Sequence, residues 1–468
     1  MPTVEQKPVE KPRPFVIPEY CKGCGRCVSV CTKGCIAFAD EINPTTGLVP
    51  VVLDLEKCTG CGLCIDACPE PYGLRALAQG ETYELQDPAM LFGARPSAAP
   101  EPVDIPAQRI PLPKTQPLII KGNDATAVGA LLAGCRHFYG YPITPSTEGA
   151  ELMAKLLPKL GGVFLQAVSE IATVSHMYGT GGAGIGSMTF TSGPGISLML
   201  EGISYMVGSE LPGVFVNIMR GGPGLGNIAP EQSDVKLACR GLGHGHTHCI
   251  TLMPSTPQEM LDCAILAFDL TFKYRNPVVI LADGYLGQMT GKVQLPEYLV
   301  KPGIPGWAVY GDLNHRGNLI SSIQLQEQDL EKFNIHVEEK FQSMKAEARA
   351  ESYVTEDAEV LLVACNTPAR AAKGAVKSLR EQGIRAGLFR PITIWPFPVQ
   401  QLEALLSRTR RIVVVEANVG GQIMDELRLS MSQAGVEKLP PLTHVRRSGG
   451  VLPQQTEIVD HVRSIFGR

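Results

Sequence analysis

The sequence predicts an α/β chain in which two parallel-sheet domains follow a small α+β domain. Two observations lead there. The first is a pair of four-cysteine runs near the N-terminus, Cys21, Cys24, Cys27, Cys31 and Cys58, Cys61, Cys64, Cys68, each spaced C-x2-C-x2-C-x3-C. The second is an alternation of short apolar strands with amphipathic helices from Leu118 onward, the pattern of a parallel sheet covered on both faces.

The cysteine runs fix the first element. Each C-x2-C-x2-C turn offers three thiolates from one loop, and a four-iron cube needs a fourth from elsewhere. In the two-cluster pattern it comes from the other run. Cys68 is therefore expected to complete the cube on Cys21, Cys24 and Cys27, and Cys31 the cube on Cys58, Cys61 and Cys64. Structural zinc also uses C-x2-C pairs but rarely three cysteines at this density. Pro69 follows the second run, whereas Thr32 follows the first, and Cys35 is a ninth cysteine expected to be a buried spectator. The domain, residues 1–86, reads as bacterial-ferredoxin-like, its apolar pieces short because clusters replace much of the core.

Seven prolines among alanine and serine make 87–116 an extended tether or wrap. In the first α/β unit, 117–290, strands are predicted at 118–121, 137–141, 163–167, 185–190, 214–219, 249–252 and 278–282. The helices between them fall near 124–133, 147–157, 170–178, 196–206 and 258–272. A connecting segment, 291–355, carries one amphipathic helix through Leu330, Phe333, Val337, Phe341 and Met344. A second α/β unit, 356–468, is expected to have strands at 360–364, 386–390 and 412–416.

With 44% apolar and 19% charged residues and a net charge of −4 over 468 residues, nothing draws the chain to nucleic acid or anionic membrane. No apolar run is long enough for a membrane span, and the first fifteen residues lack an export signal. The expected compartment is a reducing cytoplasm, with Cys135, Cys239, Cys249, Cys263 and Cys365 as free thiols.

Chemistry is expected in loops at the carboxyl ends of strands. Tyr141-Pro-Ile-Thr-Pro-Ser-Thr-Glu148 follows a strand and opens a helix. It reads either as an anion site or as an ordinary proline-rich start capped by Ser146 or Thr147. Glu170 stands at a strand-to-helix junction, where a carboxylate is by default a first-turn acid. Arg220 enters Gly221-Gly-Pro-Gly-Leu-Gly226, where a guanidinium beside bare backbone can clamp a carboxylate or phosphate. Gly179–Gly184 ends a helix and precedes a strand, the wrong order for a dinucleotide loop. His244, His246 and His248 alternate but lack an accompanying acidic set, so a metal there is disfavoured.

The strings YPITPSTE, SEIATVSHMYGTGGAG, TSGPGISLMLEGISYM, NIMRGGPGLG, NPVVILADG and LFRPITIWPFP closely resemble the alpha subunit of 2-oxoacid:ferredoxin oxidoreductases. The resemblance runs from about Leu118 to the C-terminus, and the cysteine domain resembles that family's separate delta subunit, fused in front. It implies a thiamine diphosphate enzyme's pyrimidine-type domain followed by a transketolase C-terminal-like domain. The implied reaction turns a 2-oxoacid and coenzyme A into acyl-CoA and CO2, with electrons passing through two [4Fe-4S] clusters to ferredoxin or another acceptor.

By resemblance, Glu170 contacts the cofactor's aminopyrimidine, Thr144 binds the substrate carboxylate and Arg220 pairs with it. Tyr141, Pro142 and Ile143 belong to the cofactor-binding loop. No Gly-Asp-Gly with downstream asparagines is present, so Mg2+ and the diphosphate are expected on a beta subunit, with a gamma subunit completing the hetero-oligomer. The fused cluster domain and the GPGLG form of the loop after Arg220 look most like branched-chain 2-oxoacid members, though alpha chains of the 2-oxoglutarate type are similar and the sequence does not separate the two. The competing functions are an electron-transfer or scaffolding subunit without its own catalysis, and a flavin- or NAD-linked reductase, which the misplaced glycines disfavour.

Overall fold

The computed structural model describes residues 13–44, 46–70, 73–77, 101–315 and 317–465. The chain forms two compact units, residues 1–98 and 99–468.

In the first unit Arg13–Val16 pairs antiparallel with Leu74–Leu77, and Ile36–Phe38 with Val51–Leu53. Two five-residue helices, Arg26–Val30 and Leu63–Ala67, occupy equivalent places in the two cysteine runs. Each is entered through a glycine with φ near +73° or +80°, Gly25 and Gly62, a left-handed turn that a side chain would strain. The apolar core is small: Ile36, Val51 and Leu74 pack with Cys27 and Cys64.

The second unit is built on two sheets. Among the described residues the larger has seven strands, in the spatial order 393–395, 250–252, 278–283, 214–219, 187–191, 137–140 and 163–166. All neighbours are parallel except Thr393–Trp395, which pairs antiparallel at the edge. The central strands Val214–Met219 and Val278–Asp283 are buried along their whole length, which accounts for a sequence that is apolar apart from Asn217 and the terminal Asp283. The smaller sheet runs 350–353, 386–391, 360–364, 411–416 and 442–446, with Ala350–Tyr353 antiparallel and the rest parallel.

The predicted strands and helices of both α/β units are present, with shifts of a few residues. Sequence patterning missed the edge strands 350–353, 393–395 and 442–446 and the helix Gln455–Ile465. Two boundaries change. Part of the predicted tether wraps its own unit, since Ile105 bridges Ile304 and Gln108–Pro111 pairs with Tyr298–Lys301. Residues 87–100 lie outside the described set. The start of the predicted connecting segment also belongs to this body, because Thr290–Val293 pairs with Leu118–Lys121. The amphipathic helix Glu327–Met344 buries Val337, Phe341 and Met344, while Leu330 stays exposed.

The helices Gly122–Leu132 and Pro257–Lys273 touch through Gly129, where an added Cβ would lie 2.5 Å from the Leu261 carbonyl oxygen. Gly129→Ala is expected to destabilise the chain by ~1–3 kcal/mol through overpacking against backbone. A lower denaturant midpoint at unchanged cluster content would register it.

Candidate functional site

The cysteines fall into two sets. One cavity of the first unit is lined by Cys21, Cys24, Cys27 and Cys68, the other by Cys31, Cys58, Cys61 and Cys64. Each set takes three cysteines from one run and the last from the other, as the swapped pattern requires. Among the described residues no three Cys, His, Asp or Glu side chains converge closely enough for a single metal ion. Thiolates arranged around a cube stand further apart than ligands of one zinc, so the donor sets fit two [4Fe-4S] clusters. Cys35 is buried as expected, but it lines the second cavity. Its amide donates to Cys31 Sγ at 3.3 Å, and hydrogen bonding from Cys35 holds the Cys31 thiol below its ordinary range. Burial pushes the Cys35 thiol itself up to about 11.

In the larger sheet the candidate residues sit at the carboxyl edge of four neighbouring strands. Tyr141–Thr144 follow 137–140, Glu170 opens the helix after 163–166, Ser192 follows 187–191, and Arg220 follows 214–219. Arg220 is buried and donates through Nη1 to the Thr144 carbonyl at 2.8 Å and through Nη2 to the Leu225 carbonyl at 3.3 Å. Its Nε, also buried, has no protein partner. Arg220 and Thr144 are thus brought together, although Thr144 contributes its backbone and its side chain belongs to an exposed residue. Tyr141 and Pro142 are exposed and Ile143 half-buried. Ser146 stands at the N-cap of the helix Thr147–Leu156, but its hydroxyl donates to the Ile143 carbonyl at 2.7 Å instead of accepting from a helix amide.

Ser169 caps the helix Glu170–Gly182 by accepting from the Ala172 amide, which turns Glu170 inward to 6% exposure. Gly195 leaves the space beside it: a Cβ there would stand 2.4 Å from Thr191 Oγ1 and 2.7 Å from Glu170 Oε1. Thr191 Oγ1 and Ser192 Oγ are buried without hydrogen-bond partners. A buried carboxylate beside orphaned hydroxyls and a glycine-lined gap fits one polar edge of a heteroaromatic ring. Sequence reasoning did not single out Thr191, Ser192 and Gly195. Their signal was a TSGPG string between a strand and a helix.

A separate cleft places Arg220 and the 221–225 loop opposite Asn418, Gly420 and Ser448 of the smaller sheet's domain. Glu170 does not line it. The three alternating histidines are engaged individually. His244 meets Ser204, His246 meets Glu338 at 2.6 Å, and His248 stacks on Trp395, where burial lowers its pKa to about 4.

Comparison with known proteins gives this geometry a context. Residues 128–356 match the family described as pyruvate flavodoxin/ferredoxin oxidoreductase, thiamine diphosphate-binding, and 358–458 match pyruvate:ferredoxin oxidoreductase core domain II. Residues 20–71 match a 4Fe-4S dicluster domain. Ketoisovalerate oxidoreductase subunit VorB of Methanothermobacter thermautotrophicus is 42% identical over 352 residues, 75% of this chain and 98% of the relative. The chain belongs to the 2-oxoacid:ferredoxin oxidoreductase family. Another member, 2-oxoglutarate synthase subunit KorA of the same organism, is 35% identical over 384 residues, 74% of this chain and 98% of that one. The solved 2-oxoglutarate:ferredoxin oxidoreductase of Magnetococcus marinus, with 2-oxoglutarate, coenzyme A and succinyl-CoA bound, aligns at 27% identity with a TM-score of 0.67. That alignment covers 75% of this chain and 65% of the solved one, just under two thirds of its length. Both curated relatives are named as subunits of their oxidoreductases. Among the described residues no helix is long and apolar enough to cross a membrane.

The two cysteine sets give a direct test. With crossed ligation, Cys68→Ala should lose the same cluster signal as Cys24→Ala and keep the one lost in Cys61→Ala, as read by iron content and low-temperature EPR. Loss of the Cys61 signal instead would mean that each run keeps its own cube.

Proposed function

We propose that this chain is the alpha-type subunit of a 2-oxoacid:ferredoxin oxidoreductase acting on branched-chain 2-oxoacids. The reaction consumes the 2-oxoacid and coenzyme A, releases CO2 and acyl-CoA, and sends two electrons singly through the clusters of the first unit to ferredoxin or a similar acceptor. The observation that carries this reading is the carboxyl edge of the larger sheet, where buried Glu170, two orphaned hydroxyls and the unpaired Nε of Arg220 stand on neighbouring strands.

Thiamine diphosphate, when bound, supplies the carbon nucleophile and electron sink that decarboxylation of a 2-oxoacid needs. Glu170 would hold a ring nitrogen by a hydrogen bond from a site already shielded from water, with Thr191 and Ser192 as further polar contacts. Arg220 is suited to the substrate carboxylate: its two Nη groups are fixed on carbonyl oxygens, and carbonyls do not cancel its charge. Thr144 would add its hydroxyl to the same anion, and Tyr141, Pro142 and Ile143 would line the approach.

The magnesium-diphosphate half-site is assigned to a beta subunit, because its sequence pattern is missing from this chain. An apolar rim around the edge supports a covering chain there: Val168 is 88% exposed and Leu225 81%, with Ile171, Leu198 and Ile228 also exposed. A gamma subunit would complete the assembly. The higher identity to a ketoisovalerate enzyme than to a 2-oxoglutarate enzyme supports the branched-chain assignment.

The test is anaerobic viologen reduction by the co-purified complex with coenzyme A, thiamine diphosphate, Mg2+ and a panel of 2-oxoacids. The highest kcat/KM is expected for 3-methyl-2-oxobutanoate and its branched homologues. A preference for 2-oxoglutarate would overturn the substrate assignment alone. Glu170→Ala should lower kcat by ~10²–10⁴-fold at unchanged iron content. An unchanged rate would instead favour an electron-transfer subunit whose thiamine fold is idle.

A further inference from the structure

We propose that Asp234 balances the charge of the substrate-carboxylate site: it takes up a proton when a 2-oxoacid anion binds at Arg220 and returns it to solvent when the anion leaves. This rests on the reading of Arg220 above.

Asn217 is a polar residue in an apolar place, 1% exposed in the central strand 214–219 and level with Thr191 of the neighbouring strand. Its side-chain nitrogen donates to Asp234 Oδ2 at 2.9 Å, and its Oδ1 is buried without a partner. A Cβ added to Gly193 would lie 3.9 Å from the same Asp234 oxygen. The carboxylate therefore stands beside the end of strand 187–191, which the hydrogen bond from Arg220 to Thr144 spans.

One hydroxyl separates Asp234 from the Arg220 backbone. Ser233 Oγ lies 2.8 Å from the Arg220 carbonyl oxygen and 3.3 Å from Asp234 Oδ1. A hydroxyl has a single hydrogen, and the carbonyl, which has none to offer, takes it at the shorter distance. The second contact becomes a full hydrogen bond once the Asp234 carboxyl carries a hydrogen and donates it to Ser233 Oγ.

Charge counting points the same way. Three residues lining the cleft of about 680 Å³ are charged: Arg220, Glu231 and Asp234. Glu231 is kept as a carboxylate by two donors, Ser448 Oγ and the Gly449 amide. With both acids ionised the cleft holds one positive and two negative charges, and a bound 2-oxoacid adds another negative one. Carboxylates that share a site cannot all stay ionised at ordinary cost, so one takes a proton. Asp234 has only the Asn217 donor to itself, and burial already pushes its carboxyl above the ordinary range.

The experiment is a pH series of kcat and KM for 3-methyl-2-oxobutanoate with the intact complex carrying wild-type chain, Asp234→Asn or Arg220→Ala, with iron content checked in each. Wild-type KM should rise with pH by up to roughly tenfold per pH unit, the slope of one proton. Asp234→Asn imitates the protonated carboxyl, since its amide can accept from Asn217 and donate to Ser233. That rise should be absent from it, with KM near the wild-type low-pH value. A second measurement needs no variant: calorimetric titration of wild type with 3-methylbutanoate, which lacks the keto group, in buffers of different ionisation enthalpy should show proton uptake.

A wild-type KM that ignores pH, or the same rise in Asp234→Asn, would overturn the proposal, as would 3-methylbutanoate binding without proton uptake. If Asp234→Asn does not assemble, the wild-type calorimetry decides. Arg220→Ala should raise KM at every pH, and an unchanged KM there would instead remove the carboxylate site beneath the proposal.

Discussion

The hydrogen bond from Arg220 to the Thr144 carbonyl is the contact on which the carboxyl edge of the larger sheet depends. The strands carrying these residues are not neighbours: 187–191 lies between 214–219 and 137–140. The bond therefore spans the end of the middle strand, where Ser192 and Gly193 begin a helix. A buried guanidinium is costly unless its donors are satisfied, and here two neutral carbonyls satisfy Nη1 and Nη2.

The smaller sheet's domain holds that edge in place. Glu231, buried in the loop after Arg220, accepts from Ser448 Oγ at 2.7 Å and from the Gly449 amide at 3.0 Å. Gln232 bridges further: its side chain accepts from the Ala417 amide and donates to Asn366 Oδ1, while its own amide donates to the Ala417 carbonyl. Asp283, at the end of the neighbouring strand, accepts from both the amide and the hydroxyl of Thr367. Where the contacts are fully buried, as between Gln232 and Asn366 or Ala417, removing one partner leaves the other unsatisfied at a cost of about 1–3 kcal/mol. The second α/β domain thus contributes to the site chiefly by fixing where the Arg220 loop lies.

Much of this was legible in the sequence, for identifiable reasons. Cluster ligands announce themselves because a cube imposes a fixed spacing on the chain. Strands buried on both faces read as near-continuous apolar runs, and 214–219 and 278–282 are marked by the sequence in that way. Thr393–Trp395 was not, because three residues carry no periodicity and the strand exists only through pairing with Ile250–Leu252 of another domain. The candidate residues on the carboxyl edge of the larger sheet were legible by resemblance more than by spacing. Glu170 looks like any first-turn acid until Ser169 and Gly195 are seen to give it a buried place. Gln232 with Asn366, 134 residues apart, could not be paired by any local pattern.

The two cysteine runs and the thiamine-type domains lie on one chain. Separate electron-transfer subunits must find their enzyme, whereas covalent linkage fixes the ratio at one to one and makes the encounter intramolecular. The effective concentration that results is set by the length and stiffness of whatever joins the modules. Part of the proline-rich segment pairs within its own unit, as Gln108–Pro111 does with Tyr298–Lys301. Electrons that leave the thiamine site one at a time benefit from an acceptor that cannot diffuse away between the first and the second.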